Sequence, residues 1–324
     1  MVIFNTFSNG KRYNDMPETD IIIWCASLIR YKGFGYKTKI FCLESDLEFL
    51  KHYHLFELYD EIDTTLLKDN EQLSKIDESI FWSSRKIEAM YHQLFTLNEP
   101  SIYVDTDILM RKPYDLSGDC LVWSPETRII VELPNGEIDW TKTIYPSWKF
   151  LSKPEGYVMP DYIKQTPDAY NCGVWFFKNK EVFKKYREEY YKFCIGNPGI
   201  IKHSKNKVFN NAMFPCNAEQ RILKAVLTEE NQKVNCVMPI KAKGLCEKGM
   251  HYFWYRVSWR KMKEKNVVPT QDSLSVLNYT LIECMMTLKR YNYIYEFYSN
   301  LPWLKDFETQ FKQSKDKIII RRYN

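Results

Sequence analysis

Two carboxylates one residue apart are the chemically richest feature of the chain: Asp105 and Asp107 in SIYVDTDILM, residues 101–110. The stretch before them, Ser101 to Val104, reads as a buried strand, and in open α/β sheets ligands bind beyond the carboxyl ends of strands. Side chains two apart on a strand point the same way. Both carboxylates are therefore expected to approach one hard divalent cation whose other positions are filled by phosphate oxygens. Such an ion neutralises a departing diphosphate. A structural reading competes with this one: an acidic pair that ends a strand and caps the following turn.

To present that pair, the chain needs a sheet. Val2 to Thr6 is an apolar run followed by Ser8, Asn9 and Gly10, a first strand entering a loop. Ile21 to Tyr31 predicts a helix closed near Gly33 and Gly35, and Lys37 to Leu43 a second strand. Ser45 is placed to cap a helix through Leu50 to His54, with Glu48 in the capping-box position, and Tyr59 to Asp63 predicts a short strand. From Phe81 to Leu97 the apolar residues Ile87, Met90, Tyr91, Leu94 and Leu97 recur every three or four positions, a helix that Pro100 stops. Cys120 to Ser124 and Tyr170 to Phe177 predict strands, with residues 125–169 between them read as a long loop carrying six prolines. Helices at Lys180 to Phe193 and Ala218 to Glu229, a strand at Asn235 to Pro239 and a helical tail from Asp272 complete the pattern. This alternation predicts an α/β fold, a mostly parallel sheet flanked by helices over residues 1–264, with a C-terminal helical extension over 265–324 packed on it.

Composition narrows the function. With 324 residues and 45% hydrophobic content a sizeable core can form. The 46 Lys and Arg against 41 Asp and Glu leave +5, spread along the chain, which argues against a nucleic-acid binder. Aromatics reach 16%, and their faces suit nucleobases and sugar rings as well as cores. The nine cysteines have no short paired spacing, so neither a zinc ribbon nor a disulfide framework is legible. The opening MVIFNTFSNGKRY lacks the pattern of a signal peptide, and Ser273 to Leu288, interrupted by Asn278 and Glu283, is too short to span a bilayer. The expectation is a cytoplasmic protein. The ending KIIIRRYN admits two readings, a helix packed on the domain or a peripheral contact with an anionic membrane.

The Asp-x-Asp segment resembles the signature of GT-A glycosyltransferases, which use nucleotide sugars. Three more segments follow in the same order. Phe81 to Leu97, with Arg85 and Lys86, resembles the helix that brings a basic residue near the nucleotide. DAYNCGVWFF, residues 168–177, is similar to the Asn-x-Gly-hydrophobic strand of the glycogenin and bacterial galactosyltransferase-like group, and AEQRIL, residues 218–223, to its acid-Gln helix start. The resemblance spans residues 1–260. It implies a Rossmann-like GT-A fold and a hexosyltransferase that moves a hexose from a nucleotide-diphosphate sugar to a glycan, protein or lipid acceptor with retention of configuration. It also implies a third metal ligand, a His in a His-x-x-Gly-x-x-Lys-Pro-Trp pattern. His251 in GMHYFWYRVSW has Trp259 eight residues on. Trp254, Val257 and Ser258 replace the Gly and Lys-Pro, which leaves Arg256 as the cation for the diphosphate. The other histidines, His52, His54, His92 and His203, are read as surface or core residues. With oxygen donors and one imidazole the ion is expected to be Mn²⁺, or else Mg²⁺.

The same resemblance distributes the remaining roles. Transfer passes through an oxocarbenium-like sugar, so dipolar or negative groups are needed near the anomeric carbon. Asn171, Glu219 and Gln220 are the candidates, with Gln220 on the reacting face and Glu219 orienting donor hydroxyls; if the reaction inverts, Asp168 is the candidate base. Nucleotide contacts fall to Asn5, Thr6 and Phe7 at the end of the first strand, to Tyr13 by stacking and to Lys86, with a UDP-sugar favoured because uracil is the commonest base in the family. Structural alternatives stand beside these: a strand bulge for Asn171 and Gly173, a helix first-turn carboxylate for Glu219, and core burial for Trp140, Tyr145, Trp148 and Tyr157, which otherwise form the acceptor side. A sugar nucleotidyltransferase is the rival enzyme, disfavoured by the lack of a Gly-rich phosphate loop in MVIFNTFSNG. A non-catalytic sugar-binding protein is the rival from another class.

Overall fold

The computed structural model describes residues 1–7, 18–78, 80–126, 130–133, 136–139, 142, 144–151, 153–196, 216–238, 245–246, 249–251 and 271–301. Tyr13, Trp140, His203 and Arg256 lie outside the described residues, as does the terminal KIIIRRYN.

The strands are β1 (Val2–Thr6), β2 (Lys37–Phe41), β3 (Glu61–Asp63), β4 (Ser101–Val104), β5 (Ile108–Met110), β6 (Cys120–Glu126), β7 (Ile130–Leu133), β8 (Gly136–Asp139), β9 (Ala169–Phe177), β10 (Val234–Cys236), β11 (Leu245–Cys246) and β12 (Gly249–His251). Seven form one sheet in the order β10-β6-β9-β4-β1-β2-β3. All neighbours are parallel except β9, which is antiparallel to β4 and β6. The mixed, mostly parallel α/β architecture expected from the alternation is present. The small strands β11, β12 and β5 make a second sheet, and β7 and β8 a hairpin inside the stretch expected to be loop. Extension of β6 to Glu126 and the helix α4 (Asp161–Gln165) shorten that loop further.

Side chains of the central strands alternate between two cores, as a period of two requires. Ile3, Ile102 and Val104 join one core, whereas Val2, Phe4 and Tyr103 join the other. Helix α1 (Glu18–Gly33) is apolar on nearly all sides, from Ile21 through Ile29, and every one of these side chains is buried. A helix of that kind must be covered on both faces. The sheet covers one, and α7 (Gln271–Leu288) with α8 (Asn292–Ser299) covers the other through Leu281, Cys284, Leu288, Ile294 and Tyr298. Charge fastens the same contact: Glu283 of α7 bridges Arg30 of α1 at 2.8 Å and Arg111 at 2.6 Å, and Arg30 also donates to the Met110 carbonyl at the end of β5. Among the described residues no helix is long and apolar enough to cross a membrane.

Local expectations needed adjustment at helix ends. Helix α2 (Leu47–His52) follows a 3-10 turn at Glu44–Asp46, which the Asp46 carboxylate closes by accepting the Leu43 amide at 2.8 Å; the cap position of α2 is Asp46, not Ser45, and its side chain bonds to no amide of α2. Helix α3 (Ser84–Tyr91) begins three residues later than Phe81 and widens into a π-turn at His92–Thr96. Its exit lies at Asn98, with φ +53°, before Pro100 is reached; Asn tolerates that left-handed conformation better than most residues. Helices α5 (Lys180–Cys194) and α6 (Ile222–Glu229) pack on the other face, and a π-turn at Cys216–Arg221 leads into α6.

Candidate functional site

Strand order reverses between β1 and β4: the chain leaves β1 toward β2 and β3 on one side, while β4 lies on the other. At such a switch point two connections diverge and leave a crevice beyond the strand ends, the place where open α/β sheets bind ligands. Asp105 and Asp107 follow β4 immediately. They do not lie on a strand, however. Residues 105–107 form a turn closed by the Ile108 amide on the Asp105 carbonyl at 3.2 Å, and β5 starts after it. The two-residue periodicity expected to align both side chains therefore does not apply; a tight turn presents them instead. Asp107 is 8% exposed, and the Asp105 side chain about a quarter.

Asp105 is held from three directions. Its amide donates to the Gly173 carbonyl at 2.7 Å, the Tyr103 hydroxyl donates to its Oδ1 at 2.5 Å, and Lys86 Nζ lies 3.8 Å from the same oxygen. The first contact depends on a bulge in β9. Pairing with β6 passes from Val122 opposite Trp175 to Ser124 opposite Asn171, so three residues of β9 face one of β6. Asn171 Oδ1 accepts the Gly173 amide at 3.0 Å and stabilises the bend. The bulge reading of Asn171 and Gly173 is correct, and the bulge does work for the site: its carbonyls at Gly173 and Cys172 point to Asp105 and Lys86.

Lys86, on the first turn of α3, is almost fully buried. It pairs with the Glu219 carboxylate and stands over the rings of Trp175 at 4.9 Å, Tyr103 at 5.3 Å and Trp82 at 5.3 Å. Burial alone would favour the neutral amine, but the carboxylates of Asp105 and Glu219 outweigh it and raise the ammonium above its ordinary range. Glu219 behaves oppositely. Burial pushes its carboxyl up to about 7, against the pull of Lys86, because one ammonium is shared between two acids. Glu219 is only 1% exposed and faces Lys86.

A second polar group adjoins the first. Asn171 Nδ2 donates to Glu126 Oε1 at 3.0 Å, and the Tyr145 hydroxyl is placed to donate both to Glu126 Oε2 and to Gln220 Oε1, the latter at 3.0 Å. Glu126 is a residue that the sequence reading missed, as is the bond from Tyr103 to Asp105. A signal existed for the second only: Tyr103 precedes Asp105 by two, the spacing of one strand face. Tyr145 is fully buried, so its hydroxyl serves Glu126 and its ring is core, not an acceptor platform; Trp148 and Tyr157 are half-buried against the same core.

Other expected residues are placed elsewhere. Asn5 is buried with its amide occupied at both ends, donating to the Val104 carbonyl at 2.5 Å and accepting the Tyr59 hydroxyl at 2.7 Å, so it ties β1 to β4. Phe7 packs between Trp24 at 5.0 Å and Phe49 at 5.1 Å as core. Thr6 ends β1, half-buried, near the Tyr103 hydroxyl. Asp168 pairs with Lys224 of α6 and sits just before β9, five residues ahead of the Gly173 carbonyl that holds Asp105.

The pairing of β12 with β5 sets His251 opposite Ile108, directly after Asp107. Backbone register thus brings the strand that carries His251 alongside the strand that directly follows Asp105 and Asp107. The donor types of these three residues, two hard carboxylates and one imidazole, fit Mn²⁺ or Mg²⁺. Among the described side chains no group of three His, Cys, Asp or Glu surrounds a metal-sized space.

No protein-family model matches the chain, and no curated protein matches it. A solved structure of the PaToxG glycosyltransferase is similar over 87% of this chain and 85% of its own, at 14% identity and a TM-score of 0.31, a likeness too weak to bear on fold or activity.

Proposed function

We propose that the chain is a metal-dependent glycosyltransferase that moves a hexose from a nucleotide-diphosphate sugar, a UDP-sugar first among them, to a carbohydrate, protein or lipid acceptor. The observation that carries this reading is the acidic turn Asp105–Asp107 at the strand-order reversal, with a buried ammonium behind it. Asp105 and Asp107, with His251, would hold Mn²⁺ or Mg²⁺. When bound, that ion supplies positive charge to a leaving diphosphate.

The chain's own residues do the rest. Tyr103 and the Gly173 carbonyl orient Asp105, so that its carboxylate needs little reorganisation when a ligand arrives. Lys86 keeps a fixed positive charge beside it and limits repulsion between Asp105 and Glu219. Gln220, partly exposed beside the bulge, supplies a dipole for the sugar's reacting face.

The test is a panel of nucleotide hexoses with Mn²⁺, scored by thermal shift and by release of the nucleotide diphosphate. Asp107→Ala should lower metal-dependent donor hydrolysis by roughly a hundredfold or more while the fold remains. Turnover unchanged in that variant, or a UDP shift indifferent to Mn²⁺, rules the metal assignment out. A wild-type protein that binds sugars without any metal-dependent nucleotide binding would be a non-catalytic member of the fold.

A further inference from the structure

The group behind Gln220 has a hydrogen inventory that settles an orientation. Asn171 Nδ2 donates to one oxygen of Glu126, and the Tyr145 hydroxyl donates to the other. Asn171, Glu126 and Tyr145 are buried, and Gln220 is partly exposed. A phenol has one proton and two lone pairs, whereas a carboxylate only accepts. Burial, and then Glu126 beside it, push the Tyr145 phenol well above its ordinary range, so it keeps its proton. With that proton given to Glu126, the hydroxyl shows lone pairs to Gln220. The hydroxyl is also placed to donate to Gln220 Oε1 at 3.0 Å, but its single proton cannot serve both oxygens, and with Glu126 holding it two acceptors would face each other. The two ends of an amide have nearly the same shape. Turning it over costs no packing and converts the clash into a hydrogen bond from Nε2 to Tyr145.

We infer that Tyr145, anchored by Glu126 and Asn171, is a positioning residue that fixes the Gln220 amide with its NH2 group toward the tyrosine and its carbonyl oxygen toward the site. This rests on the reading of Gln220 as the group on the sugar's reacting face. It adds what that reading lacks: a reason why the negative end of the amide dipole, not its NH2 group, meets the positive charge that develops at the anomeric carbon.

Two measurements test it. In protein labelled with ¹⁵N-glutamine, the Gln220 NH2 protons should show an NOE to the Tyr145 ring and slow exchange with water. Free exchange without that NOE overturns the orientation, whether or not the protein turns over any donor. In donor hydrolysis with Mn²⁺, Tyr145→Phe and Gln220→Ala should each lower kcat about tenfold or more with donor KM within about twofold. Because Tyr145 acts through Gln220, the double variant should be no slower than Gln220→Ala alone. Losses that multiply, or a Tyr145→Phe variant with wild-type kcat, overturn the inference. Should Tyr145→Phe not fold, Glu126→Leu replaces it in the same cycle with the same expectation, since it removes the acceptor that claims the tyrosine proton. A wild type that hydrolyses no donor counts against the glycosyltransferase reading alone, and the NOE still decides the amide.

Discussion

Removing the Lys86 ammonium should reveal how the buried charges are balanced. In Lys86→Met the chain keeps nearly the same side-chain volume, but Glu219, 1% exposed, loses its counter-charge. Breaking a buried ion pair from one side typically costs about 3–5 kcal/mol. The cost depends on pH in a definite direction. The folded carboxyl of Glu219 is already raised, to about 7, above the ordinary 4.5. The stability linked to its protonation is thus fully present below the unfolded value and lost as pH rises through the folded one. Below about pH 5 the wild-type Glu219 is neutral and misses Lys86 little, so the two proteins should be closest there. Above about pH 7 the wild-type ionises beside Lys86, while the variant must hold a proton to stay folded. The gap should then widen by up to about 1.4 kcal/mol per pH unit. Urea unfolding with EDTA at pH 5.5, 7 and 8.5 measures it, and Lys86→Met/Glu219→Gln, which removes both charges, should recover most of the loss and flatten the pH profile. A gap that stays constant between pH 6 and 8.5, or narrows upward, refutes the shared-ammonium account.

Three further outcomes follow from single contacts. Tyr103→Phe deletes the hydroxyl that holds Asp105 Oδ1 and should weaken Mn²⁺ binding, read by thermal shift with and without UDP, by about 10–100-fold; equal affinity would show that the hydroxyl does not orient the carboxylate. Asn5→Ala removes both bonds that tie β1 to β4 and Tyr59, and should cost about 1–3 kcal/mol in urea unfolding; a change below a few tenths would mean that neither bond matters. Glu283→Gln unhooks α7 from Arg30 and Arg111. Burial favours the neutral acid there, but the two guanidiniums win and lower the carboxyl, so its stabilisation is present above the ordinary 4.5 and fades as pH falls through the folded value. The deficit of the variant, discounted to about 1 kcal/mol because the pair is partly exposed, should therefore vanish in acid; a deficit that persists at pH 3 argues for lost packing instead.

The sheet was legible in the sequence because its central strands are short, mostly apolar runs spaced by helices, as burial on both faces requires, while β2 showed itself by Ile40 and Cys42 alternating with other residues. Helix α1 and the tail helix α7 announced themselves by the same means. Helix ends were less legible. Where α2 begins depends on a 3-10 turn that places Asp46, not Ser45, at the cap position and turns its carboxylate back to the Leu43 amide, a choice that local residue types do not reveal. Loop residues 125–169 hid a hairpin and α4 because six prolines and scattered aromatics mask local periodicity.

For the site, the amino-acid types alone singled out Asp105 and Asp107, an acidic pair after a buried strand, whereas Lys86 and Gln220 entered only through the resemblance of their segments to a known family. What each side chain meets was decided in three dimensions. Asn5 and Phe7 have types and positions that suit a nucleotide, yet their neighbours Val104, Tyr59, Trp24 and Phe49 claim them for the core. Glu219 faces Lys86 from 133 positions away, and Glu126 meets Asn171 across a bulge whose carbonyls also hold Asp105 and Lys86. Sequence periodicity reports which face of its own element a residue occupies; partners contributed by other elements depend on strand order and register, which emerge only when the whole chain has packed.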